Sequence, residues 1–183
     1  MEFETINQWD EKEWDKVSSI YLEAFANKGG KPEKILRNMF RKQICYLHMA
    51  VEGEQVVAMA LTGNLKGSAV LLIDYLAVSK DERGKGIGHT MLEYIKKWSI
   101  TDEKFESLLI EVEADTSKEN LARIGFWKNF GFVLTTYIHH YIWVPEPYQA
   151  MYFKLQNNTS IPESGEELFG YIGEFHKASY QGS

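Results

Sequence analysis

The sequence predicts an α/β (α+β) domain with a single mixed, mostly antiparallel sheet of about seven strands and about four flanking helices. Three observations carry this. Short apolar or alternating runs recur between turn signals. Four longer segments repeat apolar residues at three- and four-residue spacing. One run places a helix, 86–98, between strands 69–78 and 107–114 that are apolar on both faces. Two such strands joined through a helix should be central, parallel and right-handed in crossover.

Phe3 to Ile6 begins as a short strand. Asp10 offers an N-cap, and Trp14, Val17, Ile20, Tyr21, Ala24 and Phe25 follow at helical spacing. Asn27-Lys28-Gly29-Gly30 stops that helix. Pro32 opens a second, with Ile35, Leu36, Met39 and Phe40 on one face. Cys45 to Val51 and Val56 to Thr62 form a hairpin across Glu52 to Gln55. Asn64 to Ser68 turns the chain into the 69–78 strand. Ile87, Met91, Leu92, Ile95 and Trp98 share one side of the next helix, and Leu108 to Ala114 is the second central strand. Asn120 to Phe130 is helical and closed by Gly131. Phe132 to Trp143 and Tyr148 to Leu155 make a final strand pair across Pro145-Glu146-Pro147. Residues 1–155 form the domain. The tail 156–183 is polar at first, then places Leu168, Tyr171, Ile172 and Phe175 at the spacing of a short docked helix.

At 183 residues the chain is one domain, long enough to bury roughly 70% of its unfolded surface. Hydrophobic residues make up 44% and charged residues 25%, which excludes a disordered chain. The net charge of −6 argues against a nucleic-acid partner. A single cysteine, Cys45, leaves no disulfide framework and suits a reducing compartment. The opening Met-Glu-Phe-Glu lacks a signal-peptide pattern, and the longest apolar run, Ala69 to Ile73, is too short to span a membrane. A cytoplasmic location without membrane association is the expectation.

The segment that carries chemistry is Leu76-Ala77-Val78-Ser79-Lys80-Asp81-Glu82-Arg83-Gly84-Lys85-Gly86-Ile87-Gly88. A buried strand ends, a polar loop turns, and three alternating glycines enter a helix N-terminus. Glycine lets backbone approach a ligand closely. The helix start offers unpaired N–H groups and the positive end of a dipole. Together these make a site for a phosphate or diphosphate, with Arg83 and Lys85 beside it. The alternative is a solvated glycine-rich turn. The dinucleotide fingerprint and the ATP phosphate loop both fail on spacing.

Leu76-Ala77-Val78 followed five residues on by Arg83-Gly84-Lys85-Gly86-Ile87-Gly88 resembles the acetyl-CoA motif of the GNAT superfamily of N-acetyltransferases. Asn120 to Phe132, with Gly131-Phe132 leading into the next strand, is similar to the second signature of that family. A closer likeness is to small bacterial members carrying Asp-x-Leu-Ala-Val, Glu-Val-Glu and Arg-Ile-x-Phe-aromatic, here Asp74 to Val78, Glu111 to Glu113 and Arg123 to Trp127. The resemblance implies a parallel pair splayed to take acetyl-CoA as co-substrate. The backbone of Gly84, Lys85, Gly86, Ile87 and Gly88 would hold its pyrophosphate, beside Arg83. Leu76, Ala77 and Val78 would pair with its pantetheine arm, with the Val78 N–H as oxyanion donor. Asn120 and Trp127 match further cofactor positions. The acceptor would be a small-molecule or peptide amine, and a homodimer through the late strands is one option.

An alkylamine arrives protonated, with a pKa of about 10.4, so attack on a thioester needs a proton acceptor. Asp74, Glu111 and Glu113 are the candidates. Glu111 and Glu113 alternate with Val112 and share one strand face; Asp74, Leu76 and Val78 share one face of theirs. A carboxylate mid-strand is costly unless paired or functional, which makes Glu111 the first choice as base. Pairing with Arg123 or a lysine is the structural alternative. Many family members have Tyr as acid where Trp127 stands, and an indole cannot take that role. Tyr75, Tyr137 and Tyr141 are possible substitutes. The missing acid motivates a second reading, an acyl-CoA-binding module without catalysis. Adjacent His139 and His140 point to opposite faces and make no metal site. Cys45 reads as core.

Overall fold

The computed structural model describes residues 1–182. The chain runs β1 (Glu2–Ile6), α1 (Glu11–Phe25), α2 (Glu33–Arg41), β2 (Cys45–Glu52), β3 (Gln55–Asn64), β4 (Val70–Val78), α3 (Ile87–Thr101), β5 (Ser107–Glu113), α4 (Lys118–Phe130), β6 (Val133–Leu134), β7 (His139–His140), β8 (Pro147–Lys154) and α5 (Gly165–Tyr180). One sheet is ordered β1-β2-β3-β4-β5-β8-β6, and β7 also pairs with β8. Among the described residues only β4 and β5 are parallel.

Local chemistry accounts for the boundaries. The Asp10 carboxylate accepts from the N–H groups of Lys12 and Glu13, capping α1. Ser117 caps α4, which ends at Gly131 in the left-handed region. Each sheet face then buries its own layer. Trp14, Val17, Leu36, Met39, Leu168 and Ile172 bring α1, α2 and α5 against one face. Ile87, Met91, Ile95 and Ile124 bring α3 and α4 against the other.

Strand β4 is irregular on both edges. It pairs with β5 only through Val70–Ser107, Leu71–Leu108 and Leu72–Leu109, and beyond these pairs the two strands part. On its other edge the register with β3 jumps from Leu61–Tyr75 to Thr62–Ile73, so Asp74 is the extra residue of a bulge. The bulge corrects one expectation. Simple alternation would put Asp74 with Leu76 and Val78. Instead Asp74 meets Lys31 on the α1/α2/α5 side, while Leu76 and Val78 pack with the α3/α4 layer.

The expected strand 132–143 is also corrected. It survives only as β6 and β7. Between them, residues 135–138 face just Gln149 and Ala150 of β8. Thr135 sends both its N–H and its hydroxyl to Ala150 O, and the Gln149 amide donates to Thr135 O. Four residues opposite two must arch away from the sheet. The C-terminal helix α5 runs 16 residues, longer than the short helix expected. No helix among the described residues is long and apolar enough to cross a membrane.

Candidate active site

The gap between β4 and β5 is lined by backbone. Ser79 N–H donates to Val57 O at 2.9 Å, which fixes the phase of the antiparallel β3–β4 ladder. Tyr75 and Ala77 therefore turn their N–H and C=O groups toward β3. Leu76 and Val78 turn theirs the other way, into the gap. The outward Val78 carbonyl accepts from Arg83 Nε at 3.1 Å. The open edge of β4 has the form of a place for one more extended chain.

Below the gap, Gly84 and Gly86 hold φ values of +79° and +82°. A Cβ at either would meet nothing within 4 Å, so the loop is bare on its outer side. Gly86 is the N-cap of α3 and supplies no side chain to the first-turn N–H groups. At Gly88 a Cβ would sit 3.4 Å from the Phe126 ring and 3.6 Å from Val78. Loop and gap share one cleft of about 710 Å³, whose walls include Phe25, Lys28, Arg83, Glu113, Arg123 and Phe126. Split strand edge, uncapped helix start and clear volume fit an elongated, phosphate-bearing ligand such as a coenzyme A thioester. Arg83 reaches across to Glu23 at 3.0 Å, and Lys85 turns onto Glu82 at 2.8 Å.

The three candidate carboxylates have separate environments. Glu113 lines the cleft. Burial raises its pKa above the ordinary value, against the opposing pull of Arg123. Glu111 lies two residues back on the same face, about 6.7 Å along the strand. Burial would raise it too, but His176 Nε2 at 2.6 Å from Oε1 and Tyr141 OH at 2.6 Å from Oε2 outweigh that and hold it below the usual value. The Asp74 side chain is 5% exposed and engaged with the Lys31 ammonium at 2.6 Å. Lys31 Nζ also lies 3.3 Å from His176 Nδ1, so one chain of contacts links Asp74, Lys31, His176, Glu111 and Tyr141. Burial, then the charge of Glu111, pushes the Tyr141 hydroxyl well above its usual pKa. It remains a donor to the carboxylate.

Asp74, Lys85, Glu111, Asn120 and Trp127 are not among the residues that line the cleft. The Asn120 amide is spent on the carbonyls of Glu113 and Asp115, at 2.8 Å for the second, tying the end of β5 to the start of α4. Trp127 packs edge-on against Phe126 and Phe132. His139 stacks on Phe169 at 4.2 Å while His140 is exposed. Tyr75 is committed to backbone, donating to Gly29 O and accepting from Lys31 N–H. Burial raises the Cys45 thiol, as suits a core residue.

Sequence reasoning missed Lys31 and His176. A lysine just before a helix-opening proline gives no sign of its burial at 4% exposure. His176 did leave a signal. It lies four residues after Ile172 on the stripe that buries α5, where a histidine needs a polar partner.

A split parallel pair beside a bare glycine loop, in a mixed sheet covered by helices on both faces, defines the class of α+β domain. The particular family follows from comparison with known proteins. Residues 6–132 match the acetyltransferase (GNAT) family, and the chain belongs to it. It is 29% identical over 62 residues to a streptothricin acetyltransferase from Escherichia coli, an alignment covering 34% of this chain and 33% of that protein. The chain thus aligns with about a third of that relative's length. Among solved structures it is similar to an aminoglycoside 6′-N-acetyltransferase complexed with coenzyme A, with a TM-score of 0.68 at 11% identity, over 87% of this chain and all of the other. A spermidine N-acetyltransferase chimera from Vibrio cholerae gives 0.67 at 10% identity, over 85% of this chain and 97% of the other. At these identities the structural likeness is one of fold.

Proposed function

We propose that this chain is an N-acetyltransferase that moves an acetyl group from acetyl-CoA to a primary amine of a small cationic molecule. The observation that carries this is the parting of β4 and β5 beside the loop of Gly84, Gly86 and Gly88. The N–H groups from Gly84 to Gly88 bind the diphosphate. Leu76 and Val78 pair with the pantetheine arm through their gap-facing backbone, and Ala77 keeps that strand anchored to β3. The bound thioester supplies the activated acetyl group. The Val78 N–H faces its carbonyl oxygen and stabilises the charge that develops there, a contribution of about 3–4 kcal/mol when such a donor is removed elsewhere.

Glu111 accepts a proton from the acceptor ammonium, leaving the lone pair on nitrogen. The N–C bond forms and the C–S bond breaks. The second nitrogen proton leaves through water, and the thiolate, of pKa about 8.5, is neutralised by water without help from Trp127. Glu113, in the cleft wall, attracts the cationic acceptor. The names of its relatives point the same way, toward streptothricin, aminoglycoside and spermidine as acceptors.

Calorimetric titration of acetyl-CoA and CoA into the purified protein tests the cofactor site. Micromolar binding is expected. Gly86→Glu abolishes it through bulk and like charge, whereas Gly86→Asn, which tolerates positive φ, retains it. No binding at millimolar ligand overturns the proposal. Binding followed by no thiol release across a broad amine panel would instead favour an acyl-CoA-binding module, the reading that Trp127 motivates.

A further inference from the structure

Lys31 and His176 have no part in the reaction as proposed, yet both are built onto its proton acceptor. Their role rests on Glu111 being that acceptor. Lys31 is a buried ammonium, which can donate but not accept. It donates to Asp74 Oδ2 at 2.6 Å and lies 5.1 Å from the centroid of the Tyr75 ring. Its Nζ stands 3.3 Å from His176 Nδ1. A donor-only neighbour requires a lone pair at Nδ1, so the imidazole proton belongs on Nε2. Nε2 then donates to Glu111 Oε1 at 2.6 Å. An imidazolium would instead turn an N–H toward the Lys31 ammonium, with two like charges at contact distance.

We propose that His176, fixed as its neutral Nε2–H tautomer by the buried Lys31–Asp74 pair, is a positioning residue that aims the Glu111 carboxylate at the acceptor ammonium. The two oxygens of Glu111 are each pinned, one by α5 through His176 and the other by the segment after β7 through Tyr141. Each oxygen keeps a further lone pair. The Glu111 and His176 side chains are each 20% exposed, and Glu111 lies two residues along β5 from Glu113 in the cleft wall. In the transfer, an ammonium N–H bond breaks, its proton passes to a Glu111 oxygen and its electron pair stays on nitrogen. His176 neither gains nor loses a proton. The titratable and charged groups around the pair are Lys31, Asp74, Glu113, His139, Tyr141 and Tyr148.

Two measurements decide it. The first needs no activity: ¹⁵N–¹H NMR of the imidazoles in the full chain, with His176 assigned by its loss in His176→Gln. The Nε2–H tautomer is expected at pH 7, and an Nδ1–H form or an imidazolium overturns the proposal. The second is kinetic. In His176→Ala, kcat/KM for the amine should fall about a hundredfold through misplacement of the base. The acid limb of its pH profile should move up by about one unit as Glu111 loses a donor. KM for acetyl-CoA should stay unchanged. His176→Gln, whose amide nitrogen can reach where Nε2 stood, should recover most of the loss. An unmoved acid limb in His176→Ala, or a Gln variant no better than Ala, overturns the proposal. Full activity in Glu111→Gln would instead remove Glu111 as base, and no turnover in the wild type would remove the function proposed above; the tautomer is read in either case.

Discussion

A buried histidine contributes to the acid sensitivity of this protein's stability. His48 on β2 is fully buried between Thr5 and Thr62, with each ring nitrogen 2.8 Å from a threonine hydroxyl. Its ring packs edge-on against Trp98 at 4.7 Å. Neutral threonines satisfy its polar atoms but supply no counter-charge, and burial lowers its pKa to about 3. In the unfolded chain the same group takes up a proton near its ordinary value of about 6.5. The stabilisation is therefore complete above pH 6.5 and is lost as pH falls from there toward 3, by about 1.4 kcal/mol per pH unit. Glu111 is lowered from an ordinary value of 4.5, so its own loss begins below the first part of that range. Burial lowers His139 from the same ordinary value, so the His48 share is read as the difference between wild type and His48→Gln in urea denaturation between pH 6.5 and 5. His48→Gln should be less stable at pH 7 and should show a flatter pH slope. An equal slope in the variant would refute the assignment.

The docking of α5 shows how closely one element is fitted to the sheet. At Gly63 on β3, a Cβ would lie 2.2 Å from the Phe175 ring, and at Gly165 one would lie 2.6 Å from the Thr135 hydroxyl. The helix thus meets the sheet at the first place and the 135–138 arch at the second, and at each only a hydrogen fits. Gly63→Ala should cost about 1–3 kcal/mol, because the ring must leave its site. Adding Phe175→Leu should recover part of that cost, and thermal unfolding of the single and double variants reads both. A Gly63→Ala protein as stable as wild type would mean that the ring moves freely.

The same element marks where sequence reading ends. The apolar repeat of α5 and the loop from Val78 to Gly88 are local patterns, and both are legible as such. The contacts of His176 with Lys31 and Glu111 span 145 and 65 residues of chain, and nothing local encodes them. Alternation puts Asp74 on the wrong face for a related reason. A period of two assumes a regular ladder, and the bulge opposite Leu61 and Thr62 breaks it. The arch at 135–138 escapes because its apolar residues read as strand, while the Thr135 and Gln149 hydrogen bonds that lift it off the sheet are tertiary.

For the whole molecule, the parted strands mean that the sheet lacks one chain's worth of hydrogen bonds between β4 and β5. Each sheet face is complete, with α1, α2 and α5 on one side and α3 and α4 on the other. A ligand entering the gap would therefore join two packed halves without rebuilding either. Any ligand that binds the folded state alone stabilises it by RT ln(1 + [L]/Kd), about 2.7 kcal/mol at a hundredfold excess over Kd. For a domain of this size, 1 kcal/mol moves Tm by roughly 2–4 °C. Acetyl-CoA at that excess should therefore raise Tm by roughly 5–11 °C. The location of the effect discriminates more sharply than its size. Amide hydrogen exchange should slow at Leu76 and Val78, whose N–H groups face the gap, and from Gly84 to Gly88 at the start of α3. Ala77, already turned toward β3, should change less. Alternating protection along β4 would mean that the ligand pairs as an added strand. Uniform protection of the strand would mean global stabilisation only, and the backbone pairing assigned to Leu76 and Val78 would be wrong.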